Sequence, residues 1–160
     1  MIDASLIFDG TLDTTGAGGP AGVAITVTRD STNIIDWAVA RDVAVGDDID
    51  VHVVVQTTFT AAGAATLQIS YQTCDTVGGT YLDVLDSPIY AVADLSVGAS
   101  IFRYKIPLFQ LNDKGSPNRF HKLIYTVATG PMTAGKVIAY ITGFNDRQSF
   151  VPYGPNYSES

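Results

Sequence analysis

The sequence lacks paired cysteines, long apolar runs and clustered basic residues. Its one cysteine, Cys74, cannot form a disulfide within the chain, and we expect it to be a small buried hydrophobic residue. No segment approaches the ~20 apolar residues of a membrane-spanning helix. Charged residues make up 16% of the chain, below the roughly 25% usual in soluble domains, and the net charge is −7. This balance argues against direct binding to nucleic acid, which needs clustered lysine and arginine.

The chain also lacks the motifs of common enzymes and metal sites. A Gly-rich stretch at residues 16–21 resembles a dinucleotide-binding turn, but it leads into strand-like sequence where such a turn needs a helix. His52 and His121 belong to no catalytic or metal-ligand spacing. Carboxylates crowd one segment without the spacing of a calcium loop: Asp42, Asp47, Asp48 and Asp50. We therefore predict a protein without catalytic activity, metal or cofactor.

The opening residues do not have the character of a secretory signal. Asp3 stands where such a signal carries positive charge, and the apolar run that follows is too short. We expect synthesis in a cytoplasm and no membrane association.

Alternation of apolar and polar residues is the dominant pattern in the chain. At residues 66–72 it places Leu67, Ile69 and Tyr71 on one face, which is typical of a half-buried strand. Strands are predicted at residues 23–28, 34–37, 50–57, 66–72, 80–85, 89–92, 101–106, 123–127 and 137–142. No convincing helical periodicity competes with them. About eight short strands with turns between them predict an all-β sandwich or jelly roll.

Both ends of the chain differ from this regular middle. We predict an N-terminal arm or loop at residues 1–22, a sandwich at residues 23–146 and a C-terminal extension at residues 147–160. Between the strands, the small residues of AAGAA at residues 61–65 read as a hairpin link. Residues 126–136 read as the same device near the other end of the chain.

Three stretches occur in an order that points to a known family. They are STNIID with ARDVAVGD (residues 31–36 and 40–47), TFTAAGAATL (residues 58–67, continuing to residue 72) and YTVATGPMTAG (residues 125–135). Together they resemble the jelly-roll capsid cement, or decoration, proteins of short-tailed bacteriophages. The resemblance covers most of residues 31–142, whereas residues 10–22 and 150–160 depart from it.

The resemblance implies a structural role on a virion. Such proteins bind the outside of an icosahedral shell, bridge neighbouring major capsid proteins and resist the pressure of the packaged genome. It implies an antiparallel β-sandwich of jelly-roll type, with the major capsid protein and further copies of this chain as partners. We expect a homodimer first and a trimer second, made in the bacterial host cytoplasm and located on the outer capsid surface.

Apolar residues near the two ends are the candidate contacts with the shell or with another subunit. They lie in segments without strand periodicity, so they need a partner to bury them. These candidates are Ile2, Leu6, Ile7, Phe8, Phe150, Tyr153 and Tyr157. The alternative is that they fold back on their own subunit.

Two other functions are compatible with a β-sandwich. A carbohydrate-binding module would place aromatic residues on one exposed sheet face, whereas aromatic residues in the core would count against it. A hydrolase would need a cleft with a perturbed acid or an activated nucleophile.

Overall fold

The computed structural model describes residues 4–11, 21–39, 49–107 and 118–143. Within these residues it contains eleven strands, two short 3-10 turns at Ala4–Leu6 and Val92–Asp94, and no α-helix. The strands are β1 (Ile7–Asp9), β2 (Val23–Ala24), β3 (Arg29–Asp30), β4 (Ile35–Asp36), β5 (Ile49–Ala61), β6 (Thr66–Cys74), β7 (Leu82–Asp86), β8 (Tyr90–Ala91), β9 (Ser100–Lys105), β10 (Phe120–Ala128) and β11 (Met132–Gly143). None of the described helical turns is long and apolar enough to cross a membrane.

The strands form two antiparallel sheets. Sheet I has the order β1-β11-β5-β9, with β2 also paired to β11. Sheet II has the order β3-β10-β6-β7, with β4 also on β10 and β8 also on β6. Short strands that pair with the same neighbour share one position in the sheet: β1 with β2, β3 with β4, and β7 with β8. This leaves eight positions, arranged 1-8-3-6 in sheet I and 2-7-4-5 in sheet II, which is the jelly-roll winding. The predicted fold class is confirmed.

The core lies between the sheets and follows the period of two. The predicted face of β6, formed by Leu67, Ile69 and Tyr71, is fully buried. On β5 the inward residues are valines, and on β10 Leu123 and Tyr125 meet them from the opposite sheet. Cys74 is also buried, as expected, and carries a free thiol.

The link at residues 61–65 is not a hairpin. β5 belongs to sheet I and β6 to sheet II, so this link crosses the sandwich from one sheet to the other. The link from β10 to β11 crosses in the same way, and the two lie side by side because Ala61 pairs with Met132 and Thr66 with Ala128. The prediction that the two links are alike was right, whereas the prediction that they are hairpins within one sheet was wrong.

Two other segments differ from their predicted structure. Ile7–Asp9, inside the predicted arm, forms strand β1 of sheet I. Three residues are too few for a period-two pattern to mark them. At residues 23–28 only Val23–Ala24 is a strand, because the chain then turns toward sheet II with Ile25 buried in the core.

A bulge in β11 makes room for an aromatic ring in the core. The register of β11 against β5 shifts between Met132 and Val137, and Gly135 lies there with a φ of 143°. A Cβ atom added at Gly135 would overlap the ring of Phe59, which is almost fully buried. Both the backbone conformation and the contact therefore require glycine at this position.

We expect Gly135→Ala to lower the free energy of unfolding by at least about 2 kcal/mol, since it adds backbone strain to overpacking. Gly63→Ala is the matched control, because a Cβ atom there meets nothing within 4 Å. Its effect should stay within about 0.5 kcal/mol. Urea denaturation of the two variants checks this, and equal stabilities would contradict the role assigned to the bulge.

Candidate functional site

Four loops that cross between the sheets meet at one end of the sandwich. We call this surface the four-loop end, and it consists of residues 25–28, 62–65, 92–99 and 129–131. Among its nineteen residues only Asp94 is charged, although charged residues make up 16% of the whole chain. The centres of protein interfaces are depleted of charge in the same way.

Hydrogen bonds join each loop to the next. The backbone N–H of Met132 donates to the carbonyl oxygen of Thr26 at 2.9 Å. The hydroxyls of Thr60 and Thr133 lie 2.7 Å apart at the foot of the two central loops. On the far side, the N–H of Val97 donates to Oγ1 of Thr58 at 3.1 Å. The loops therefore form one row, in the order 25–28, 129–131, 62–65 and 92–99.

A buried apolar residue holds each loop to the core, and it lies within the loop or, for residues 129–131, directly after it. All four are at most 3% exposed, and they are Ile25, Ala65, Leu95 and Met132. These anchors and the lateral hydrogen bonds restrain loops that would otherwise be mobile. The four-loop end is accordingly a preformed surface.

The outward residues of the four-loop end are small or aliphatic. Ala62, Gly63 and Ala64 project no functional group, and Val27 and Val97 at the two sides of the row are 57% and 64% exposed. Such short side chains allow the backbone of another protein molecule to approach this surface closely. Asp94 is the one charged exception, and the rest of the surface is suited to a flush contact with a protein.

A histidine cluster lies on the outward side of sheet I. His52 on β5 contacts the Tyr140 hydroxyl through Nδ1 at 2.9 Å and the Ser100 hydroxyl through Nε2 at 2.8 Å. A serine and a histidine at this distance are the geometry of a nucleophile and its base. The third position, however, holds a phenol where a hydrolase triad has a carboxylate.

The electrostatics of this cluster oppose proton abstraction. Burial, together with the charge of Arg103, lowers the pKa of His52 from 6.5 to about 4. An imidazole with this pKa is a weak base at neutral pH. Arg103 itself lies 3.8 Å from the carboxylate of Asp50. The cluster ties β11, β5 and β9 together, and we assign it a structural role.

The second histidine lies in the core. His121 is fully buried, with Nδ1 bonded to the Tyr71 hydroxyl and Nε2 at 2.9 Å from the carbonyl oxygen of Asn118. Nδ2 of Asn118 donates in turn to Oγ1 of Thr73 at 2.8 Å, and the Trp37 ring packs edge-on at 6.0 Å. Burial lowers the pKa of His121 to about 4. This histidine is a satisfied structural residue.

The structure describes three of the seven candidate contact residues from the sequence, namely Leu6, Ile7 and Phe8. Ile7 and Phe8 are buried in their own chain, which is the alternative that the sequence left open. Leu6 is half-buried against the core. The remaining four lie outside the described residues: Ile2, Phe150, Tyr153 and Tyr157. The role of Leu6 and of these four in contacts between molecules stays a prediction.

The four carboxylates considered for calcium are also only partly described. Asp50 lies on β5, whereas Asp42, Asp47 and Asp48 lie outside the described residues. Among the residues that the structure describes, no three His, Cys, Asp or Glu side chains group as metal ligands.

Sequence reasoning missed the four-loop end as a surface. A signal for it was present, since the connecting segments carry almost no charge. What the sequence did not reveal is that segments as distant as residues 25–28 and 92–99 belong to one row.

Both histidines should make the fold sensitive to mild acid. In the folded chain the pKa of each histidine is about 4, below the 6.5 of the unfolded chain. As the pH falls, the unfolded chain therefore takes up protons first. The free energy of unfolding that these histidines contribute is fully present above pH 6.5 and is lost from there toward pH 4. We expect the free energy of unfolding to fall between pH 6.5 and 5, where carboxylates contribute little. Urea denaturation across this range measures it.

His121→Gln should reduce this slope by up to about 1.4 kcal/mol per pH unit, the contribution of one proton. A wild-type stability that does not change between pH 6.5 and 5 would contradict the assignment of both histidines.

Comparison with known proteins adds a family to this description. No curated protein matches the chain. A family model named Bbp16 matches residues 20–141, from just before β2 to near the end of β11. The match covers most of the sandwich, including all of the four-loop end. The chain therefore belongs to the Bbp16 family.

Proposed function

We propose that this chain is a structural capsid cement protein. It binds the outside of an icosahedral bacteriophage shell, bridges neighbouring major capsid proteins and stabilises the shell against the pressure of the genome. The strongest support is the location of the stretches that resemble this class of protein. Residues 58–67 and 125–135 are distant in sequence, yet they contain the two central, adjacent loops of the four-loop end.

A bridging protein needs two separated contact surfaces and a stiff connection between them. The four-loop end is one such surface. The described ends of β1 and β11 that lead to the terminal segments lie at the opposite end, since Ile7 on β1 pairs with Tyr140, and Gly143 at the end of β11 pairs with Ile49 at the start of β5. The sandwich between the two ends is closely packed and rigid. Contacts at both ends, repeated over many copies, would resist the separation of capsid subunits.

The proposed partners follow from these surfaces. The four-loop end has one charged residue, Asp94, and no basic residue, so it fits a protein surface and suits neither a phosphate backbone nor an anionic lipid surface. Its proposed partner is therefore the major capsid protein on the outside of the virion. Self-association, as a dimer before a trimer, is part of the proposal and involves the terminal segments.

The distribution of aromatic residues gives less support to a carbohydrate-binding module. Tyr71 and Tyr125 are fully buried, as are the phenylalanines of the core. On the outward side of sheet II, Lys122 covers the Tyr81 ring at 4.3 Å and Arg119 covers Phe120 at 4.8 Å. Rings covered in this way are poor platforms for stacking a sugar.

Reconstitution on shells that lack this protein tests the proposal. We expect saturable binding of the purified chain at a fixed ratio to the major capsid protein, and rupture of the decorated shells at higher temperature. Rupture can be followed by release of DNA to an intercalating dye. Saturated binding with no rise in rupture temperature would contradict a cement function.

A matched pair of charge variants tests the four-loop end. Gly63 lies in this surface and Gly78 in the β6–β7 hairpin at the other end of the sandwich, and a Cβ atom meets nothing within 4 Å at either position. Gly63→Asp should weaken shell binding at least tenfold, because it buries an unpaired charge in the contact. Gly78→Asp adds the same charge beside β6 and β7 of sheet II, away from strands β1 and β11 of sheet I that lead to the terminal segments, and should bind as wild type.

Equal binding of the two variants would remove the four-loop end from the contact. Deletion of residues 147–160 provides the corresponding test of the C-terminal candidates Phe150, Tyr153 and Tyr157. Loss of binding in that deletion alone would place the contact in the extension.

A further inference from the structure

The first and last described strands are neighbours whose outer ends lie at the same end of the sandwich. β1 pairs with β11 in antiparallel fashion, with Ile7 opposite Tyr140. Tension between the two ends of the chain therefore loads the hydrogen bonds between β1 and β11 one after another, beginning at Ile7. A three-residue strand pulled in this geometry would separate easily if it were held by sheet I alone.

A buried carboxylate ties β1 to the opposite sheet. Asp9 is fully buried, and its Oδ2 accepts a hydrogen bond of 2.7 Å from the hydroxyl of Tyr125 on β10. Its Oδ1 accepts from the backbone N–H of Thr32 at 2.9 Å and from the Thr32 hydroxyl at 2.6 Å. Arg29 adds a longer contact of 3.5 Å from Nη2. We call these four residues the Asp9 lock.

The carboxylate of the lock is buried and hydrogen-bonded at both oxygens, whereas Thr32 and Arg29 reach the surface. Hydrogen bonds to an ionised group are shorter and stronger than those between neutral groups. A buried polar group that loses its hydrogen-bond partner costs free energy. Arg29 provides the positive charge that accompanies the buried carboxylate. Breaking the lock would leave several hydrogen-bond donors without their acceptor at once. A large pulling force should therefore be needed to separate Asp9 from its partners.

Backbone contacts support the lock on either side. Nδ2 of Asn33 donates to the carbonyl oxygen of Ile7 at 3.0 Å, and the backbone N–H of Asn33 donates to that of Phe8 at 2.9 Å. The segment that holds β1 is itself fixed, since Ser31 exchanges hydrogen bonds with the backbone of Leu123 on β10. Every residue of β1 therefore has a partner in sheet II or in the segment attached to it.

We propose that the Asp9 lock is a mechanical fastening, which stops β1 from peeling off β11 when the two ends of the chain are pulled apart. It transfers tension at the N-terminal end to Tyr125 and hence to the middle of sheet II. This goes beyond the proposed function, because it is a property of the isolated chain. A failure of the shell experiments would leave it standing.

Single-molecule pulling of the full chain between terminal tags tests the lock. We expect the wild-type sandwich to unfold without an early step. Asp9→Asn replaces one carboxylate oxygen with an NH2 group that faces either the Tyr125 hydroxyl or the Thr32 donors, so β1 should detach first, at lower force. Detachment of residues 7–24 would add roughly 60 Å of extended chain.

Three further variants keep the test decisive. Asp30→Asn removes the exposed ion pair with Lys122, does not touch β1 and should behave as wild type. Tyr125→Phe and Thr32→Val each delete part of the lock and should lower the force of the first unfolding step less than Asp9→Asn does. They replace Asp9→Asn in the test if that variant does not fold. An early step of this length in the wild type, or first-event forces of wild-type size in both partial variants, would overturn the proposal.

Discussion

The apolar layer between the two sheets is the constraint on which the rest of the structure depends. Residues from both sheets must fill it, so alternate residues of the long strands point inward outside the bulge in β11, and β6 and β10 place tyrosine rings beside aliphatic residues there. Because the winding sends the chain repeatedly from one sheet to the other, its loops gather at the ends of the sandwich. Each loop of the four-loop end contributes one apolar residue to the same layer, and this fixes its position. Asp9 is the one carboxylate fully buried beside this layer in the described part of the chain, and four donor groups compensate it.

Some of these features were predictable from a local pattern in the sequence, whereas others depend on contacts between residues that are distant in the sequence. Strands such as β6 and β9 were predictable because burial of one face leaves a period of two over several residues. β1 was not, since three residues carry no period and its partners are 20 to 133 positions away. The link at residues 61–65 marked a change of direction, but a short run of small residues serves equally for a hairpin and for a crossing between sheets. Only the pairing of the flanking strands decides between them, and pairing depends on the whole chain.

The candidate site was predictable only in its chemistry. Charged residues are scarce in the whole chain, and they are scarcer still at the four-loop end, where Asp94 is the one charged residue among nineteen. The sequence directed attention to the termini, because apolar residues without strand periodicity suggest an unburied contact. Ile7 and Phe8 have that character and are nevertheless core residues of their own chain. In the proposed function both ends of the sandwich make contacts: the preformed, sparsely charged four-loop end at one, and the segments that continue from β1 and β11 at the other.

Cryo-electron microscopy of shells reconstituted with the purified chain tests the proposed function most directly. The account predicts density for the sandwich on the outer surface at the seams between capsid subunits, oriented with residues 62–65 and 129–131 against the major capsid protein. Reconstructions without added density, or with the sandwich resting on an outward sheet face while the four-loop end points into solvent, would contradict it.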